Sequence, residues 1–113
     1  MGAVLDAGLV RRLRLRAQGL AAEDGAATGG VEEVVRHLVG VQAQEAEGAA
    51  LAIAIRHRGL SAAQVEAARL EARSIVRTWA LRGTLHLVAA ADLGWLLPFL
   101  APGVIRGRRR RYA

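Results

Sequence analysis

Apolar residues recur at helical spacing from the start of the chain. Leu9, Leu13 and Ala17 return every fourth residue behind Asp6, a good helix cap, and Gly19 follows as a stop, so the pattern predicts a helical arm within residues 1–20. Residues 21–30 are small, Gly-rich and without period, which predicts a loop. Val31, Val34, Val35, Leu38 and Val39 then fall at i, i+3, i+4, i+7 and i+8, with Glu32 and Glu33 in the first turn, where the helix dipole favours carboxylates. This is a second helix, and Gly40 is its expected end.

The connector Val41-Gln42-Ala43-Gln44 leads to an apolar run over residues 49–55. The run is half Ala, which favours a buried helix over the alternative of a strand. Arg56, His57, Arg58 and Gly59 close it. Ser61 with Gln64 has the spacing of a capping box, and Leu60 is placed to staple onto Val65, so another helix must begin there and run over residues 62–72. Helix, short Gly-containing turn and helix is the order of a helix-turn-helix, with 62–72 as the recognition helix. Residues 74–81 and 84–88 are rich in Ile, Val, Thr and Trp and meet across Arg82-Gly83, where Gly can take the positive φ of a tight turn; this hairpin is the expected wing. Asp92 caps a last helix that Pro98 is expected to end. The fold class is therefore mostly α with a small β-hairpin, a winged helix-turn-helix. A winged-helix domain over 31–100 is expected to follow the 1–20 arm and to precede a basic tail at 101–113.

With 53% hydrophobic residues in 113 the chain can bury a core, and with aromatics at 4% that core must be aliphatic. The net charge is +6 and every basic residue is Arg, a side chain whose planar fork pairs bidentately with phosphate, although a GC-rich coding bias would also replace Lys by Arg. No cysteine is present, so disulfides and thiolate chemistry are excluded, which fits a cytoplasmic location. The longest uncharged stretch, 93–105, contains Pro98 and Pro102 and is shorter than the roughly 20 residues of a membrane helix, so no membrane span is expected. His37, His57 and His86 lack metal-ligand spacing, and neither metal nor cofactor is expected.

Gly40-Val41-Gln42-Ala43-Gln44, followed by Arg77-Thr78-Trp79-Ala80-Leu81-Arg82-Gly83-Thr84-Leu85-His86-Leu87 and Ala91-Asp92-Leu93, resembles the start of the AlkZ-like, or YcaQ-like, winged-helix DNA glycosylases. The resemblance implies tandem winged helices and hydrolysis of the N-glycosidic bond of alkylated bases, including some interstrand crosslinks. It also implies catalytic roles for the family's two Gln flanking an aliphatic residue, which fall here on Gln42 and Gln44. Family members are several times longer. The resemblance therefore implies a truncation point at 101–113 and a chain too short to be active alone.

Residues i and i+2 point the same way only on extended backbone, so Gln42 and Gln44 can converge if the connector is not helical. Glu45 and Glu47 are the nearest carboxylates, read as solubilising rather than basic. Arg69, Arg73, Arg77 and Arg82 fall on the recognition helix and wing, the elements that enter DNA grooves, and are the expected contacts to damaged double-stranded DNA. His86 on the wing is a further candidate, for phosphate or for packing against Trp79. Trp79 reads as core, and Trp95, Leu96 and Phe99 as an apolar face through which copies could self-associate. The same fold class would equally suit a transcriptional regulator or a non-catalytic protein-interaction module.

Overall fold

The structure, a computed structural model, describes residues 4, 6–20, 30–57 and 59–112, so nearly all of the loop expected at 21–30 lies outside the described residues. Two helix starts follow local cap chemistry. In α1 (Ala7–Ala17) the Leu9 N–H donates to Asp6 Oδ1 at 2.7 Å, and Gly19 after the helix takes φ 71°. In α4 (Ala62–Leu70) the Gln64 N–H donates to Ser61 Oγ at 3.3 Å and the Ser61 N–H to Gln64 Oε1 at 2.8 Å, completing the capping box. Between them lie α2 (Val31–Leu38) and α3 (Ala46–Ala54), so the apolar run is helical and the strand alternative falls.

Three short strands form one antiparallel sheet. β1 (Val41–Gln42) and β2 (Ile75–Trp79) flank β3 (Leu85–Ala89), with Val41 opposite Leu87, Gln42 opposite His86, and Trp79 opposite Leu85. Both central residues of the hairpin turn, Arg82 at φ 56° and Gly83 at φ 71°, adopt positive φ, and the Thr84 N–H donates to the Leu81 carbonyl at 3.2 Å. Two positive φ values suit the right-handed twist of a hairpin. The order α2, β1, α3, α4, β2, β3 makes a winged-helix-like unit with α3 and α4 as the helix-turn-helix.

The sheet separates two apolar clusters. On one side Val35, Ile53, Val65, Ile75 and Leu87 join α2, α3 and α4; on the other Ala80, Val88 and Leu96 pack with Val39, Leu93 and Leu100. Alternation along β3 sends Leu87 to the first and Val88 to the second. Each fully buried Val or Ile contributes about 1.5–3 kcal/mol. α1 has no buried residue; its end is held by Arg56, whose Nε donates to the Gln18 carbonyl at 2.7 Å, and by His37 Nε2 at 2.9 Å from the Ala17 carbonyl.

One expectation is corrected. The last helix does not stop at Pro98: α5 (Leu93–Tyr112) runs through both prolines, so the boundary expected after residue 100 falls inside one helix. Leu93, Leu96, Leu100 and Val104 lie along one face at helical spacing. The first three engage the second cluster, and Val104 reaches the hairpin at Gly83, so packing on both sides of each proline outweighs the lost N–H. α2 ends just before Gly40, as expected, and the positive φ at its end belongs to Val39, at φ 68° and ψ −48°, near the strained γ-turn region. Gly40 is instead where backbone passes close to a ring, because a Cβ there would lie 3.4 Å from the His86 ring and 3.4 Å from a Leu81 methyl. Among the described residues, no helix is long and apolar enough to cross a membrane.

Candidate functional site

The connector after Gly40 is extended, as convergence of its glutamines requires. β1 pairs with β3 up to Gln42, and the Ala43 N–H then donates to the Leu85 carbonyl at 2.8 Å. Ala43 is buried at 1% exposure while Gln42 and Gln44 on either side are exposed, the alternation a strand imposes. Their amides meet: Gln42 Nε2 donates to Gln44 Oε1 at 3.2 Å. That bond leaves an acceptor, Gln42 Oε1, beside a donor, Gln44 Nε2.

Arg77, on the opposite edge of the sheet, reaches across β3 and fixes this connector. Its Nε donates to the Ala43 carbonyl at 2.8 Å and its Nη2 to the Gln44 carbonyl at 3.1 Å. A guanidinium has five N–H donors in a planar fork, so two carbonyls can be held while the remaining N–H groups stay outward. Below the connector a cavity of about 30 Å³ is walled by Ala43, Arg77, Glu66 and Arg69, so α4, β2 and the connector meet at one place. Arg69 is held there by an ion pair with Glu66 at 2.8 Å.

The other candidates lie apart. Arg73 stands exposed between α4 and β2 at φ 53°, and Arg82 stands exposed at the tip of the hairpin. His86 is corrected outright as a surface contact for phosphate: it is buried at 7% exposure, opposite Gln42, with Nδ1 donating to the Thr84 carbonyl at 2.9 Å. A carbonyl only accepts, so Nδ1 carries the hydrogen. The imidazole is a packing element beneath the connector, against Gly40.

Trp79 reverses its expectation in the other sense. It is 54% exposed, because β2 is an edge strand and Trp79 is its last residue, beside the turn. The Arg108 guanidinium lies over its ring, 5.6 Å from the centroid. Their meeting had no signal in the sequence: Trp79 shares its face of β2 with the buried Ile75, and Arg108 lies 29 residues away. Of the trio expected to drive self-association, Leu96 is buried at 2% in the second cluster, whereas Trp95 and Phe99 are exposed. Trp95 donates its indole N–H to Asp92 Oδ1 at 2.9 Å. Among the described residues, no group of His, Asp and Glu could hold a metal ion.

The fold is that of a winged-helix-like unit, and comparison with known proteins relates it to DNA glycosylases. Residues 35–113 match the family described as DNA glycosylase AlkZ-like, and the chain belongs to it. Its fold is similar to that of the Streptomyces sahachiroi DNA glycosylase AlkZ, with a TM-score of 0.63 and 33% identity over 74% of this chain and 22% of that one. The chain thus spans 22% of the length of the solved structure it matches. No protein with a curated description matches it in sequence.

Proposed function

We propose that this chain is the DNA-engaging unit of an alkylpurine or crosslink glycosylase, binding damaged double-stranded DNA and presenting Gln42 and Gln44 to the N-glycosidic bond of the damaged base. The observation that carries the reading is the 3.2 Å contact between the two amides on a connector clamped by Arg77. Gln42 Oε1 accepts a hydrogen from the attacking water and orients its lone pair toward C1′, while Gln44 Nε2 donates to a sugar oxygen. As the C1′–N bond breaks, its electron pair passes to the base. An alkylated cationic base leaves neutral and needs no proton, so the reaction proceeds through an oxocarbenium-like sugar with modest help. An amide cannot take a proton as a carboxylate can, so the water proton passes to solvent or to Glu45 or Glu47. Arg73, Arg82 and the outward N–H groups of Arg77 hold the phosphates, in keeping with a net charge of +6.

The test is base release from an alkylated duplex by Gln42→Ala and Gln44→Ala, in this chain and at the matching positions of a full-length relative. Loss of release with duplex affinity retained supports the assignment. Release unchanged in both variants overturns it and favours a regulator, which would instead prefer one undamaged duplex sequence.

A further inference from the structure

The geometry points to a second nucleic-acid site, in which Trp79, Arg82 and Arg108 hold one unpaired nucleotide of a DNA strand. A groove of about 460 Å³ runs between the hairpin turn and α5, within the size range of pockets for small ligands. Trp79 forms one wall. Gly103 and Gly107, one helical turn apart on α5, line it without side chains and so give it depth, and Arg82 and Arg108 stand at its edges. Among the described residues no acidic side chain lines it, and Arg106, Arg109 and Arg110 lie on the same helix, so the occupant is anionic.

The chemistry narrows this anion. The Trp79 ring carries a planar cation, Arg108, over its face at 5.6 Å, so that face takes a planar group once Arg108 moves aside. A half-exposed indole beside two guanidinium groups is the combination that stacks a base and pairs its phosphate. Within a duplex the faces of the bases are covered by their neighbours, so only an unpaired nucleotide can use it. On entry the base stacks on Trp79, and Arg108 swings from the ring to the phosphate alongside Arg82. Arg82 keeps its place at φ 56°, a conformation Gly or Asn would adopt more easily, which puts its side chain at the lip of the groove.

The position fits a strand already opened. Gln42 and Trp79 lie on the two strands flanking β3, opposite the adjacent residues His86 and Leu85, so their backbones are two strand spacings, about 10 Å, apart, while alternation assigns the two residues to opposite faces of the sheet. The inference rests on the proposed function for the source of its occupant: opening the strand at a damaged base supplies the unpaired nucleotide that the groove holds.

The experiment uses the full chain and a fluorescent oligo(dT) of about a dozen nucleotides, within the site sizes common for single strands. Binding is followed by anisotropy and, in a Trp95→Phe background where Trp79 is the sole tryptophan, by indole emission. Oligo(dT) is expected to quench Trp79. Trp79→Ala should weaken oligo(dT) binding by about five-fold or more, while Trp79→Phe retains most of it and affinity for undamaged duplex is unchanged. Arg108→Ala, at an exposed position that leaves the core intact, should lower the salt slope for oligo(dT) by about 0.7. Emission unchanged at saturation, or oligo(dT) held as tightly by Trp79→Ala and Arg108→Ala as by the parent, overturns the site. Base release by the glutamine variants is scored separately, so failure of the catalytic reading is distinguishable from failure of this one.

Discussion

Arg77 and Gln44 are joined through the backbone of the second residue: Nη2 of Arg77 donates to the Gln44 carbonyl at 3.1 Å, while Nε of the same guanidinium holds the preceding carbonyl, of Ala43, at 2.8 Å. A planar fork can span two consecutive carbonyls. An ammonium group, with one point of charge, cannot do so with the same geometry.

Arg77 is therefore a positioning residue for the glutamine pair. Arg77→Met should lower stability by about 1–2 kcal/mol, since charge-assisted hydrogen bonds contribute about 1.5–3 kcal/mol and this one is partly in solvent. Arg77→Lys should keep duplex affinity and its salt slope but lose base release in kcat rather than in KM. Urea unfolding, anisotropy and single-turnover base release separate these effects. Equal base release by Arg77→Lys and the parent would assign Arg77 to phosphate contact alone.

Arg82 and Gly83 share a turn in which both central residues have positive φ, and Arg pays for that conformation where Asn would not. Arg82→Asn should raise stability by about 0.5–1 kcal/mol, read as the midpoint of thermal unfolding, while weakening DNA binding. Such opposed effects are expected where strain is kept for a functional side chain. A variant that gains stability and loses no affinity for oligo(dT) or duplex would remove Arg82 from the interface.

How much of this was readable in the chain depended on whether the deciding interaction is local. Asp6, Ser61 with Gln64, and Arg82-Gly83 announced a helix start, a capping box and a turn, because each acts within four residues. The extended state of Gln42 and Gln44 was conditional in the sequence; pairing with β3, 44 residues away in the register of Gln42 and His86, decides it. Trp79 was read as core and lies exposed, and the sequence left His86 between surface and packing, since period-two alternation does not say which face is covered, nor that β2 lies at an edge. The clamp by Arg77 crosses 34 residues and leaves no local signature.

Helix α3 shows the same limit within one segment. Its composition is apolar nearly all round, yet Ile53 is fully buried while Leu51, two residues earlier, is 64% exposed. Ile53→Ala should cost about 2–5 kcal/mol and Leu51→Ala within about 0.5 kcal/mol, measured by urea unfolding of the two single variants. Comparable losses would mean that a further surface covers Leu51.

Pro98 offers the sharpest contrast between local and tertiary control. A helix-stop reading places it at the end of a short helix, where Ala would change little. In the structure it lies inside the 20-residue α5, exposed, with Leu96 buried before it and Leu100 packed on the second cluster after it. An interior Pro is about 3 kcal/mol less favourable than Ala in a helix, through its missing N–H and the clash of its ring with the carbonyl four residues earlier. A helix can relieve part of that cost by bending at proline, so Pro98→Ala should stabilise the chain by about 1–3 kcal/mol. The gain should appear as a higher thermal midpoint together with stronger far-ultraviolet helical signal, because residues on both sides of position 98 then propagate one hydrogen-bonded helix. A Pro98→Ala variant with unchanged midpoint and unchanged helical signal would show that the helix ends at residue 97, and the groove beside Trp79, whose far wall is Gly103, Val104 and Arg108 on the later turns, would lose its support.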